Sequence, residues 1–195
     1  MNEVNAAKMT KTGAIVTPRG RLSFFGKPAL FQPQLMKGEI DQKKAAFQAM
    51  LLFPKDADIS LLRSTVKERV KAKAWTSAEK EKVLKADGMF HKAEDDTYLA
   101  EFAEDFPIVI RTKSSRAPEV WTSDMTRCTD ETQAYAGRWA RLVVNPWCYD
   151  HPAGGKGVSW ELQLVQLLKN DEPIGFARAS AEEAFEAIDI EESVF

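Results

Sequence analysis

Residues 137–168 constrain this chain more than any other stretch, because they form a long β-hairpin. Gly137 to Tyr149 is rich in β-branched and aromatic residues. His151-Pro-Ala-Gly-Gly-Lys-Gly157 is a turn, and Val158 to Leu168 is the returning strand. Side chains alternate across a strand, so the first arm has two distinct faces. One carries Arg138, Ala140, Leu142, Val144, Pro146 and Cys148, which is mostly core material. The other carries Trp139, Arg141, Val143, Asn145, Trp147 and Tyr149. Three aromatic rings, a cation and an amide on one outward face make a stacking platform. Unpaired bases bind such rings with little sequence preference, at about 1–3 kcal/mol per stacked base. A second packing face against helices is the alternative use of the same residues.

The rest of the chain supplies partners for the hairpin. Gly13 to Phe25 reads as a strand bent near Pro18-Arg19-Gly20, and Lys27 to Gln42 as loop, punctuated by Pro28, Pro33 and Gly38. Lys44 to Phe53 reads as a second strand ended by Pro54. Asp58 is placed to cap a helix from Ile59 to Trp75 with the apolar stripe Ile59, Leu62, Val66 and Val70. Thr76 and Glu79 form a capping box for a second helix to Ala86, before Gly88. Residues 91–105 are acidic and partly helical in pattern. Phe106 to Lys113 is a third strand, Ser114 to Ala136 is irregular, and Ser180 with Glu183 opens a short helix to Ile188. The expected class is mainly β with inserted helices. Five strands with a helical insertion after the second suit a partly open Greek-key barrel such as the OB-fold. Other α+β arrangements remain open on this pattern alone.

Charge is unevenly spread. Residues 1–75 hold 14 Lys and Arg against 6 Asp and Glu, whereas the last 15 residues hold no cation and 6 acids. A basic body with an acidic tail fits a polyanion-binding surface and a segment that mimics polyanion, although solvated surface charge gives the same asymmetry. Several cations fall in phase with strands. Arg19 and Arg21 share a side with Phe25, while Leu22 and Phe24 take the other. Arg111 and Lys113 alternate with Ile110 and Thr112. Lys43 and Lys44 open the second strand, and Arg116 and Lys156 lie in loops. Cations along a groove release counterions from a phosphate chain. The tail ends Asp189-Ile-Glu-Glu-Ser-Val-Phe195. Asp189, Glu191, Glu192 and Phe195 suit either a basic groove or a partner's apolar pocket.

Catalytic patterns are sparse. His91 and His151 stand alone without metal spacing, and Gly154-Gly155-Lys156-Gly157 lacks the P-loop pattern. Cys128 and Cys148 make neither a zinc ribbon nor a disulfide framework, which suits a reducing compartment. No long apolar run spans a membrane, and Met1 to Thr12 lacks the apolar core of a secretory signal. Asp95, Asp96 and Glu101 sit in an acidic stretch that would suit a metal-dependent nuclease, the leading enzymatic alternative. A protein-interaction module using the aromatic face is a second alternative, and single-stranded RNA a further ligand.

Taken in order, several motifs resemble the OB-fold single-stranded DNA-binding proteins of tailed bacteriophages. They are Arg21-Leu-Ser-Phe24 followed by Leu30-Phe31, and Ala46 to Lys55 ending Leu52-Phe53-Pro54-Lys55. Ala134-Tyr135-Ala136-Gly137 leads into Val144-Asn145-Pro146-Trp147. Gly155-Lys156-Gly157-Val158 and Ala179-Ser180-Ala181-Glu182 complete the set. The chain departs from the family where Arg111-Thr-Lys-Ser114 replaces an Arg-Asp-Gly-Asp segment, and residues 76–105 are longer and more acidic. The resemblance implies a barrel that coats single-stranded DNA during phage replication or recombination, in the cytoplasm of the infected host, without catalysis, metal or cofactor. It also implies an acidic tail that competes with DNA and recruits replication or recombination proteins. The expected organisation is a flexible arm over 1–12, the OB-fold domain over 13–178, and a short helix with the acidic tail over 179–195. The hairpin edge leaves a homodimer open. From strand phase the expected DNA contacts are Arg19, Arg21, Phe25, Lys43, Lys44, Arg111, Lys113, Arg116, Trp139, Arg141, Trp147, Tyr149 and Lys156.

Overall fold

The computed structural model describes residues 4–24, 29–35, 40–86, 89–152 and 155–174. Its longest elements are the two arms of the hairpin, β9 (Trp139–His151) and β10 (Gly155–Leu167), numbered here in chain order. They pair antiparallel from His151↔Gly155 to Ala140↔Leu167, with one bulge where Gln163 is the extra residue between Leu162 and Leu164. The turn is therefore tighter than the sequence pattern suggests, since Gly155 to Gly157 already belong to the strand.

Preceding strands wrap this hairpin into a ring. β3 (Gly20–Ser23) pairs antiparallel with β9 and with β5 (Ala46–Phe53). β5 pairs antiparallel with β7 (Ile108–Ser114), and β7 meets β10 in parallel at Trp160↔Thr112 and Glu161↔Lys113. The circuit β9-β3-β5-β7-β10-β9 is thus closed. A row of paired residues leaves β9 at Trp139 and passes Arg21, Leu52 and Val109. There β6 takes the next place beside Val109, and β10 pairs with β7 only from Thr112 on; counted with the β7–β10 register extended to that level, the row returns to β9 at Tyr149, ten residues further on. That offset is the stagger that lets tilted strands close without an edge.

Period two decides what lies inside. Leu22, Leu51, Ile110, Leu142, Val144, Trp160 and Leu162 are almost completely buried in the barrel core. Trp160 is held by its indole N–H donating to Met89 O at 3.0 Å and by an edge-on contact with Phe90 at 5.7 Å. Burial of each such side chain contributes about 1.5–3 kcal/mol.

Two helices lie between β5 and β7 in the chain. α1 (Ser60–Lys71) adds Leu62, Val66 and Val70 to this core, as the stripe predicts, but ends before Trp75. The Asp58 carboxylate accepts from Ser60 N at 2.9 Å, although Ile59 occupies the cap position. α2 (Ser77–Ala86) opens on the expected reciprocal box, with Thr76 N donating to Glu79 at 2.8 Å and Glu79 N to Thr76 Oγ1 at 3.3 Å.

Several expectations need correction. The strand expected over residues 13–25 is broken into β2 (Ile15–Val16) and β3, both running along β9. Pro18 has no N–H to give a ladder. Thr17 spans the gap instead: its N–H donates to Leu142 O at 2.8 Å and its Oγ1 accepts from Leu142 N at 3.0 Å. β1 (Lys8–Met9) pairs with β2 inside what reads as a flexible arm. The expected loop over 27–42 contains β4 (Ala29–Gln34), an irregular partner of β5 that tolerates Pro33 because few ladder bonds are needed there. Lys43 and Lys44 sit in a 3-10 turn, Gln42–Lys44, rather than in the second strand. Two further short strands appear, β6 (His91–Lys92) beside β7 and β8 (Glu119–Trp121) beside β10.

The acidic segment 93–106 is also more structured than its composition suggests. Ala93, Leu99, Phe102 and Phe106 cover Met50, Leu52 and Val109 on the outer face of β5 and β7, with Ile174 in the same cluster. Glu94, Asp95, Glu101, Glu104 and Asp105 stay exposed. Among the described residues no helix is long and apolar enough to cross a membrane.

Candidate nucleic-acid interface

The outward face of β9 is built by the alternation described above. Ala140, Leu142, Val144 and Pro146 point into the core, which forces Trp139, Arg141, Val143, Asn145, Trp147 and Tyr149 outward. The two ends of this row differ sharply. Trp147 is 44% exposed, and its ring centroid lies 5.6 Å from that of Tyr149. Tyr149 lies across Gly157 on β10. A Cβ at Gly157 would stand 2.4 Å from the Tyr149 hydroxyl, so the absent side chain is what lets the ring lie flat there.

Trp139, by contrast, is only 9% exposed, so the expectation of an open ring holds for Trp147 and not for Trp139. Its indole faces outward but is covered by other side chains. Arg19, Lys169 and Arg21 stand 4.9, 5.4 and 5.6 Å from the indole ring, and Phe106 packs at 6.0 Å. Its Nε1 donates to Asp171 Oδ2 at 2.5 Å. That contact, with the backbone N–H of Glu172 and the nearby Arg21 and Lys169, holds the Asp171 carboxyl below its ordinary range.

Strand register brings two cations beside the open end of the row. Lys113 pairs with Glu161, which opposes Asn145 on β9, and by the period of two Arg111 and Trp147 each lie two residues further along that same face. Lys113 lies one row along, opposite Glu161 and Gln48, and is exposed. Arg111 donates to Asp96 Oδ2 at 2.9 Å and keeps its side chain 38% exposed. Lys43, Lys44 and Arg116 are exposed at the rim where β5 begins and β7 ends. Trp147, Tyr149, Arg111 and Lys113 therefore share one face of the sheet, and the three rim cations lie beyond the ends of its strands.

Other expected contacts are committed within the fold. Arg21 is 9% exposed and donates to Gly137 O, to Glu172 O and to Asp171 Oδ2, the last at 3.0 Å. Arg19 pairs with Asp56 at 3.4 Å, and Arg141 donates to Gln166 at 2.6 Å. Lys156 bridges Glu79 of α2 at 3.1 Å and Asp150 of β9 at 2.9 Å, pinning the hairpin to the helix. Those two acids raise the Lys156 pKa, Asp150 the more. Asp171 and Lys169 were not expected at the site; a lone acid 32 residues from Trp139 carries no local signal of this contact. Phe25 and the tail residues Asp189, Glu191, Glu192 and Phe195 lie outside the described residues. Asp95, Asp96 and Glu101 do not converge: Asp96 faces Arg111, and among the described residues no three His, Cys, Asp or Glu side chains gather.

Comparison with known proteins bears on this arrangement. The family model of the Enterobacter phage Enc34 ssDNA-binding protein matches residues 13–195. Among solved structures, the single-stranded DNA-binding protein from bacteriophage Enc34 in complex with ssDNA is 20% identical, with a TM-score of 0.65 over 90% of this chain and 97% of its own. A second structure of that phage protein is 22% identical, with a TM-score of 0.64 over 95% and 97%. The gp2.5 single-stranded DNA-binding protein encoded by bacteriophage T7 is 14% identical, with a TM-score of 0.55 over 97% and 98%. None of the curated proteins matches the chain.

Proposed function

Because the chain belongs to the Enc34 ssDNA-binding protein family, with a match over residues 13–195, we propose that it coats single-stranded DNA during phage DNA replication or recombination. The observation that carries this reading is the open Trp147–Tyr149 pair on a strand face shared with Arg111 and Lys113. Bases stack on the two rings while Arg111, Lys113, Lys43, Lys44 and Arg116 neutralise the phosphates. Duplex DNA hides its base faces, so the same surface prefers unpaired strands. The closed five-strand circuit, with its helices between the second and third strands, supports reading the barrel as an OB-fold Greek key.

In this reading the protein works by binding alone, with no metal or cofactor, in the cytoplasm of the infected cell. Residues 13–178 form the DNA-binding domain. The acidic segment 179–195 competes with DNA for the cationic surface and offers Phe195 to replication or recombination proteins.

Titration of the full chain with single-stranded and duplex oligonucleotides, followed by tryptophan fluorescence, tests the proposal. Quenching by single strands, weakened by salt with a slope of about −0.7 per phosphate contact, is the expected result. Equal affinity for duplex, or no response to either, would sink it. Deleting residues 181–195 tightens binding if the tail competes. Labelled single strands incubated with the protein and Mg²⁺ stay intact if no nuclease activity is present.

A further inference from the structure

The segment after β10 is fastened to the barrel in an unusual way. Residues 169–174 join no strand, yet they are tied down by polar contacts to one patch. Asp171 accepts from both Trp139 Nε1 and Arg21 Nη1. Tyr135 Oη donates to Asp171 O at 3.0 Å, Arg21 donates to Glu172 O, and Ile174 N donates to Ala136 O at 3.0 Å. Gly137, at φ +104°, leaves room for the strap. A Cβ there would stand 2.4 Å from Glu172 O and 2.6 Å from Ile174 N.

The patch under the strap has the chemistry of a nucleotide site. It offers an outward indole, two guanidiniums beside that ring, and an indole N–H aimed at an anion. The anion present is the chain's own carboxylate. Arginine beside an aromatic ring with an anion between them is how single strands are held by stacking and charge together. Trp139 also lies on the same strand face as Trp147, eight residues away, or about 27 Å at strand rise. A single strand following β9 would meet both.

We propose that Trp139, Arg19 and Arg21 form a second, latent subsite for single-stranded nucleic acid, in which Asp171 of the strap holds the place of a backbone phosphate until DNA displaces it. The inference rests on the single-strand-binding reading above and extends it. The strap lowers apparent affinity by the fraction of molecules in which it is docked, so a subsite open in about one molecule in ten weakens binding there by about tenfold. Once the strap lifts, the footprint grows along β9 and at least one more phosphate is neutralised.

The test uses the full chain with Asp171→Asn, which keeps the shape of the side chain but removes its charge. Gly137→Ala serves as a second lever: its Cβ pushes on the strap backbone at Glu172, Pro173 and Ile174 while the side chains of Trp139, Arg19, Arg21 and Asp171 stay unaltered. Oligothymidylates of increasing length report affinity, salt slope and occluded length. The expected result is up to about tenfold tighter binding, a salt slope steeper by about 0.7, and a longer occluded site. The gain survives in a Trp147→Ala background and is lost when Arg19→Ala is added. Wild-type affinity, slope and length in Asp171→Asn and Gly137→Ala, while Trp147→Ala still weakens binding, would overturn the latent subsite and leave the platform standing. If no variant binds single strands, both readings fall.

Discussion

The rings of Trp147 and Tyr149 sit 5.6 Å apart at an interplanar angle of 56°, two residues apart on one face of β9. They are tilted rather than stacked, so a base can lie on either ring without displacing the other. Trp147→Ala is expected to cost about 1–3 kcal/mol of binding, the worth of one stacked base. Because the side chain is 44% exposed, the melting temperature should barely move. Oligonucleotide titration alongside thermal denaturation checks both halves.

Gly157 is the seat of the Tyr149 ring. Gly157→Ala should lift that ring and disturb the pair, weakening single-strand binding while β9 and β10 remain joined. Circular dichroism unchanged, with reduced fluorescence quenching by oligothymidylate, is the expected combination.

Arg21 holds the 171–172 strap against the barrel through two acceptors of the strap, Asp171 Oδ2 and Glu172 O, while its Nε donates to Gly137 O beneath. Arg21→Ala removes a buried donor set and leaves Gly137 O and Glu172 O without it, at about 1–3 kcal/mol of stability. The Asp171 end is one-third exposed, so its ionic share is small. Urea denaturation measures the loss.

Lys156 ties Glu79 and Asp150 together. Lys156→Ala should lower the melting temperature and leave the salt slope of DNA binding unchanged. A slope shallower by about 0.7 would instead mark Lys156 as a phosphate contact.

His91 is half-buried, and burial together with Arg111 holds its pKa below the ordinary 6.5, against a smaller opposing pull from Asp96. The unfolded chain therefore binds the proton more readily. Stability is full above 6.5, falls as pH drops through the interval down to the folded value, and then levels off. His91→Gln should flatten this dependence, as urea midpoints between about pH 7.5 and about pH 5 would reveal.

Where local pattern and tertiary packing agree, the chain was readable. The alternation of β9, the reciprocal Thr76–Glu79 box and the stripe Leu62, Val66 and Val70 all follow from periods of two or 3.6. Features set by distant partners were not. β4 hides behind Pro33 because it pairs irregularly with β5. Leu99, Phe102 and Phe106 are diluted among acids, yet they form an outer apolar layer on Met50, Leu52 and Val109. Trp139 looks like Trp147 in the sequence, and its surroundings differ through partners distant in the chain: Asp171, Phe106 and the flanking cations.

The parallel seam between β7 and β10 bears on how the protein is made. β3 needs β9, and β7 needs β10, so both flanks of the three-strand meander β3-β5-β7 wait for residues 139–167. A nascent chain emerging from the ribosome would hold that meander with β3 unpaired on its outer side and β7 covered only by the two residues of β6 until the hairpin arrives. Synthesis that stalls before residue 139 should therefore yield a species that seeks chaperones or clumps, rather than a stable half-barrel.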